Sequence, residues 1–234
     1  MTKIRLLSYN IRSLRGDKNA LVRVIRALRP DIACFQEMPR FFGRREKIRG
    51  FARRCDMDVA ATRRAAGLAI LTGPAVRILH REYRLLTRVP WLHRRGVALA
   101  VVEVGGARLV TASTHLDLHD GPRLAHAGQV LSALGRLRVA YGAPVILAGD
   151  INEPPGGAAW TLLARPLRDA HAIAPAGSAA TFSAAHPRRR IDGVFADPKI
   201  HVIGCGVPAE PGRTGDYALA TDHRPVLAEL DLAG

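Results

Sequence analysis

Aromatic residues make up only 5% of the 234-residue chain, and cysteine appears three times. Lysine is confined to positions 3, 18, 47 and 199. Cys34, Cys55 and Cys205 are odd in number and widely spaced, which argues against both a disulfide framework and a zinc site of Cys-x-x-Cys type. Cys34 sits in the apolar run Ile32-Ala33-Cys34-Phe35 and reads as a core thiol. With Trp91 and Trp160 the sole tryptophans, wedges or platforms for stacking nucleobases have little support. No apolar run approaches the roughly 20 residues that span a bilayer. The first ten residues enter strand-like alternation without the apolar stretch and small-residue cleavage site of an export signal, so a cytoplasmic location is expected. Acidic residues are also scarce. Twenty Asp and Glu face 35 Lys and Arg, a formal net charge of +15, and such a field attracts polyanions such as nucleic acid or phosphorylated small molecules. Arginine in place of lysine fits a GC-rich genome, but that bias does not explain the shortage of acids.

What is present suits a packed globular protein: 48% of residues are hydrophobic and 24% charged. A single domain over residues 1–234 is expected. Lys3 to Tyr9 reads as a strand with Ile4, Leu6 and Ser8 on one face. Asp17 can cap a helix whose positions Leu21, Val24, Ile25 and Leu28 follow helical spacing, with Pro30 just past its end. A buried strand follows at Ile32 to Gln36, then a basic helix from Phe42 to Cys55. Further strands are expected over 57–62, 68–71, 76–86, 97–104 and 107–115, with a hairpin turn at Gly105-Gly106. Pro122 through Val139 reads as an amphipathic helix with Leu124, Ala127, Val130, Leu131, Leu134 and Leu137 on one side. Short strands at 144–148, 191–195, 200–205 and 225–232, a short helix at 158–163, and loops at 172–180 and 208–215 complete the chain. Many strands and one long helix in each half predict an α+β fold: a four-layer α/β sandwich of two stacked mixed β-sheets flanked by helices.

Polar residues of the kinds metal chemistry uses recur at the ends of these strands. Asn10 ends the first, Glu37 follows the second, and His115 ends a third. Asp150 and Asn152 follow Val145–Gly149, Asp192 enters a strand, and Asp222-His223 precede the last. A strand terminus is rigid yet open to solvent, so it can hold a side chain within catalytic tolerance. Singly, such an acid is more often a turn former or helix cap. A lone histidine is usually structural, and His80, His93, His119, His126, His171, His186 and His201 are read that way.

The ordered set is more specific. Ser-Tyr-Asn-Ile (8–11), Phe-Gln-Glu (35–37), Ser-Thr-His-Leu-Asp (113–117), Leu-Ala-Gly-Asp-Ile-Asn (147–152), Arg-Arg-Ile-Asp (189–192) and Ala-Thr-Asp-His-Arg-Pro (220–225) together resemble the endonuclease/exonuclease/phosphatase superfamily. The resemblance runs from about residue 4 to residue 230. Gly67-Leu68-Ala69-Ile70-Leu71, and Arg123 and Gln129 on the helix after the His motif, agree with its small bacterial members. It implies a metal-dependent hydrolase of phosphate esters. Glu37 matches the family's principal ligand for Mg²⁺ or Mn²⁺, with Asn10 beside it and Asp222 on the same or a second ion. Asp192 and His223 match its carboxylate–imidazole pair. Asp150 is the other candidate for activating water, and Asn152 would hold a phosphate oxygen or Asp150. His115 would donate to a non-bridging oxygen or protonate the leaving group. Arg190 is a candidate phosphate contact beside Asp192, the alternative being a solvated turn.

The motifs depart from abasic-site repair nucleases, since Met38-Pro39-Arg40 follows Glu37 and no aromatic residue flanks Asp222-His223. His115 is closer to pancreatic-type deoxyribonucleases, sphingomyelinases and small-molecule phosphatases. Two activities remain open: a monomeric phosphodiesterase with DNA or RNA among its candidate substrates, and a phosphatase or phosphodiesterase of a small phosphorylated metabolite or phospholipid headgroup. An inactive binding module on the same fold is a third reading, disfavoured because all the expected polar positions are present.

Overall fold

The computed structural model describes residues 2–40, 43–63, 65–210 and 215–232. Two six-stranded mixed sheets stack face to face and helices cover their outer faces, as the sequence pattern predicts. The strands are β1 (Thr2–Asn10), β2 (Ile32–Gln36), β3 (Asp58–Arg63), β4 (Leu68–Thr72), β5 (Arg77–Leu85) and β6 (Gly96–Val104), then β7 (Ala107–His115), β8 (Val145–Asp150), β9 (Arg168–Asp169), β10 (Asp192–Ala196), β11 (Ile200–Gly206) and β12 (Val226–Leu232). The helices are α1 (Lys18–Leu28), α2 (Arg44–Arg54), α3 (Asp120–Tyr141), α4 (Ala158–Ala164), α5 (Ala170–Ile173) and α6 (Asp216–Ala220). One sheet has the order β11-β12-β1-β2-β4-β3, the other β5-β6-β7-β8-β10-β9.

The two sheets repeat one plan. Each contains a single parallel pair, β1/β2 or β7/β8, joined by a crossover helix, α1 or α3, and flanked by antiparallel strands. The Asp17 carboxylate starts α1 by accepting from the backbone N–H groups of Asn19 and Ala20 (2.7 and 3.1 Å). Helix α3 ends at Gly142, whose positive φ of 59° suits a left-handed cap. Its buried stripe is Arg123, His126/Ala127, Val130, Ala133/Leu134 and Leu137. Leu124, expected in that stripe, is 40% exposed, and Leu131 is only partly buried. The contact face is therefore rotated from the expected one, toward Arg123, His126 and Ala133.

Strand alternation divides the core. Ile4, Leu6, Ile32, Cys34 and Ile70 meet Ala98, Ala100, Val102, Ile146 and Ala148 between the sheets. The intervening Leu7, Tyr9, Ala33, Phe35 and Leu71 pack with α1 and α2, while Val97, Leu99, Val110, Leu147 and Phe195 pack with α3 and α4. Burial on both faces is why these strands read as unbroken apolar runs. Each large aliphatic side chain so placed contributes roughly 1.5–3 kcal/mol.

Most strand boundaries fall within two residues of those expected. The expected basic helix begins at Phe42, outside the described residues, and is helical over Arg44–Arg54. The expected loop at 208–215 lies partly outside them. Helix α5 replaces the start of the loop expected from Ala172, because Asp169 caps it through the backbone N–H groups of His171 and Ala172. Among the described residues no helix is long and apolar enough to cross a membrane.

Candidate active site

Both parallel pairs deliver their carboxyl ends to one edge of the sandwich. Registers Asn10↔Gln36 and His115↔Asp150 close the two pairs, and Asp192↔Asp150 continues across the second sheet. Between the sheets near this end the interior turns polar. Gln36 Nε2 donates to Ser113 Oγ (3.1 Å), and Ser113 Oγ donates to the carbonyl of Phe35 (3.3 Å). These bonds tie the strand before Glu37 to the strand that ends in His115.

Asn10 is the join between the halves. Its amide nitrogen donates to Glu37 Oε1 (3.2 Å) and to Asp150 Oδ2 (3.0 Å), while its Oδ1 accepts from the backbone of Arg12 (3.1 Å). Asp150 is fixed further by the backbone N–H of Asn152 on Oδ1 (3.0 Å). Two imidazoles approach its other oxygen, His115 Nε2 at 3.4 Å and His223 Nε2 at 3.7 Å. His223 Nδ1 donates to Asp192 Oδ2 (2.9 Å). Thr181, not foreseen from the sequence, sets Asp192: its hydroxyl accepts from the backbone N–H groups of Ile191 and Asp192 (3.1 and 3.2 Å). Asp192 Oδ1 and His115 Nδ1 are buried without a hydrogen-bond partner among the described residues.

Glu37 and Asn152 both hold positive φ, 53° and 58°. Asn tolerates this conformation, whereas a left-handed glutamate is held against its preference, a pattern that clusters at functional sites. The backbone bond from Ser13 N to Glu37 O (2.7 Å) and that from Met38 N to Gly67 O (2.7 Å) hold the turn.

The expected residues converge. Glu37, His115, Asp150, Asn152, Asp222 and His223 line one cavity of about 670 Å³, and Asn10 and Asp192 bond to its floor. Asn152 gives one amide hydrogen to the carbonyl of Leu116 (3.0 Å), leaving its second for the cavity. Asp222 is half-exposed, near Arg12 Nε (3.5 Å), and accepts from Thr221 Oγ1 (3.2 Å).

Arg190 is the exception. Its guanidinium pairs with Asp169 and lies 4.8 Å over the Trp160 ring, away from the residues lining the cavity. The same Asp169 carboxylate accepts from the Trp160 indole (3.0 Å), so this arginine is captured by a partly buried acid and an aromatic face and does not contact the site.

The opposite wall is basic: Arg15, Arg40, Lys47, His93 and Arg95. Arg95 is buried, with Nε 3.5 Å from Asp117. It and His93 belong to the β5–β6 loop, which α3 pins at Thr87: Gln129 bonds both its backbone N–H and its hydroxyl (2.8 and 2.9 Å), and His126 donates to its carbonyl (2.9 Å). Arg123 and Glu153 clamp the loops beyond His115 and Asn152, since Arg123 reaches the carbonyl of Leu118 (2.8 Å) and Glu153 (3.2 Å), and Glu153 accepts from Trp160 N (2.8 Å). His93, which as a lone histidine reads as structural in sequence, lines this wall, and Arg95 carries no motif that marks it.

Electrostatics separate the ionisable groups. Burial, reinforced by Asp192, raises Asp150 to about 7. Burial disfavours the charged form of His223, but Asp192, Asp150 and Asp222 outweigh it and hold the ring protonated, at about 10. Burial, then Arg95 and His223, push His115 well below the usual histidine range, so it is neutral. The donor set suits a hard divalent cation. The Asn10 amide nitrogen bridges Glu37 and Asp150, and Glu37 makes no ion pair among the described residues. Carboxylate and amide oxygens are the donors such ions take. As oriented, Asn10 turns its NH₂ toward the carboxylates, so ligation through Oδ1 requires the amide to rotate. Asp150, Asp192 and His223 also have donor atoms within 4.8 Å of one another. A histidine protonated and bonded to Asp192 has no lone pair for a metal, which suits this trio to proton handling instead.

A family model for the endonuclease/exonuclease/phosphatase family matches residues 7–223. No curated protein matches. Among solved structures, an endonuclease/exonuclease/phosphatase from Bacteroides vulgatus is similar at 20% identity and TM-score 0.83, covering 100% of both chains. A mannosyl-6-phosphatase from Bacteroides thetaiotaomicron is 20% identical with TM-score 0.81, over 97% of this chain and 99% of that one. The human Nocturnin catalytic domain with bound sulfate is 17% identical with TM-score 0.78, over 99% of this chain and 94% of its own.

Proposed function

Since the chain belongs to the endonuclease/exonuclease/phosphatase family, we propose that it is a Mg²⁺- or Mn²⁺-dependent phosphodiesterase that hydrolyses a phosphate ester by attack of water on phosphorus. The observation that carries this reading is Asp150, bonded to Asn10 beside Glu37 and flanked by two imidazoles of opposite protonation preference. Glu37, with Asn10 and Asp222, would hold the ion, which when bound neutralises phosphate charge and polarises the ester.

The remaining steps follow from the protein's own groups. Asp150, anchored by Asn10 and Asn152, orients a water and accepts its proton. Asp192 fixes the ring of His223, and the imidazolium aims Nε2 at the cavity, where it donates to a phosphate oxygen and offsets charge developing on phosphorus. His115, neutral and carrying its Nε2 proton, donates to a second oxygen or to the leaving group. Asn152 adds its free amide hydrogen. Arg40, Lys47 and Arg95 supply the cationic wall that attracts the substrate.

A second reading is a phosphomonoesterase for a small metabolite. It is favoured by the cavity itself, whose 670 Å³ lies within the range of small-molecule sites, and by the likeness to a mannosyl-6-phosphatase. Turnover of bis-p-nitrophenyl phosphate and of p-nitrophenyl phosphate, with Mg²⁺ or Mn²⁺ and with chelator, separates the two. The diester should be preferred and chelator should stop the reaction. Glu37→Ala and His223→Ala should each lower kcat/KM by about 100-fold or more. Near-wild-type turnover by either folded variant would reject the site, and preference for the monoester would select the second reading.

A further inference from the structure

A second basic concavity lies outside the catalytic cavity, where the edge strands β3 and β5 of the two sheets face each other beneath helix α2. It measures about 660 Å³. Its walls carry Arg45, Arg49 and Arg53 of α2 and Arg81 of β5, all exposed, and Asp58 is the one acid in its lining. The three helical arginines are spaced four residues apart, so they form one stripe rising about 6 Å per step. Neighbouring arginines have partners: Arg26 pairs with Asp56, and Arg54 bonds Asn19. Arg45, Arg49, Arg53 and Arg81 form no ion pair or hydrogen bond among the described residues. Four uncompensated cations in one concave surface concentrate positive potential, where a merely solvated set would be dispersed.

We propose that this groove binds the phosphate backbone of single-stranded nucleic acid. The spacing of the stripe is comparable to that of successive phosphates along an extended strand. Val59 and Ile78, both partly exposed, give the groove floor a small apolar surface that an unpaired base can touch, whereas a duplex hides its base faces. An anionic bilayer fits less well. The apolar residues of α2, Ile48, Phe51 and Ala52, are buried inward, so the helix has no apolar face to insert. The segment that carries the groove's Arg45 and Arg49 also contributes Arg40 and Lys47 to the catalytic cavity. A bound strand therefore continues from the groove toward that cavity. This continuation rests on the phosphoester-hydrolase reading; binding in the groove does not.

The test is fluorescence anisotropy of labelled dodecathymidylate and of a trithymidylate across a salt series, with chelator present to prevent cleavage. The triple variant Arg49→Ala/Arg53→Ala/Arg81→Ala should bind the longer strand about tenfold more weakly, with the slope of log K against log salt reduced by about 2. Trithymidylate binding and turnover of bis-p-nitrophenyl phosphate should stay at wild-type values. Lysine at the same three positions should keep the slope, separating charge from folding. Unchanged affinity and slope in the alanine variant would overturn the groove. Equal loss for both oligonucleotides would too, since it marks a diffuse field. Loss of binding to phosphatidylglycerol vesicles without loss for the strand would assign the surface to membrane and reject the proposal. If wild-type protein fails to cleave the diester, the catalytic reading falls while the anisotropy result stands on its own.

Discussion

Gly149, next to Asp150 in β8, is the position where one added methyl group should damage both fold and site. A Cβ there would lie 2.3 Å from the carbonyl oxygen of Thr114, its neighbour across the parallel ladder. Ordinary contact begins near 3.4 Å, so β7 and β8 must separate by about 1 Å. The obstacle is backbone and cannot rotate aside. Overpacking of this kind costs about 1–3 kcal/mol, which for a chain of this length lowers Tm by about 2–12 °C. The same displacement separates Asp150 from His115, now 3.4 Å apart, and a 1 Å misplacement of a catalytic group costs about 100-fold in rate. Thermal unfolding and diester turnover of Gly149→Ala measure both effects. A variant that melts with wild type and keeps kcat/KM within about twofold would refute the claim that strand spacing sets the site geometry.

The remaining predictions concern groups away from the floor of the cavity. Cys34, Cys55 and Cys205 are all buried, and burial pushes each thiol up to about 12. None should react with a disulfide reagent in native protein near neutral pH, and all three should titrate in denaturant; fast reaction of any one natively would contradict its burial. Arg190→Ala should lower stability by about 1.5–3 kcal/mol, because it removes a charge-assisted bond to a nearly buried carboxylate. KM should be unchanged, and a raised KM with unchanged stability would restore Arg190 to the substrate.

How much of this was legible in sequence depends on what each residue's role requires. Ile32–Gln36 and Ala107–His115 were bounded from sequence alone, because apolar runs that end in Glu or His leave little choice of period or terminus. Helix α1 was legible through its cap and stripe. The stripe of α3 was less so, since Leu124 fits a helical repeat yet is exposed, and Leu131 only partly packs against the core. The short α5 has a local cap in Asp169 and α6 is held by Glu210, but helices of four and five residues carry too little periodicity to be read from sequence.

At the site the difference is between acids and arginines. A carboxylate or imidazole at a strand end is conspicuous because nothing in a turn demands it in that order, so Asn10, Glu37, His115, Asp150, Asp192 and His223 stand out as a set. Arginines are abundant here, and proximity along the chain did not select among them. Arg190, two residues from Asp192, is drawn off by Asp169 and Trp160, while Arg95, in an unremarkable loop, is buried against Asp117 and lines the cavity. What sorts them is where the paired carboxylate sits after folding, a three-dimensional property: Asp117 leaves Arg95 in the cavity lining, whereas Asp169 holds Arg190 over Trp160. With 20 acids for 35 bases, the carboxylates cannot capture every arginine. The uncaptured ones along α2 and around the cavity are therefore the groups left to meet phosphate.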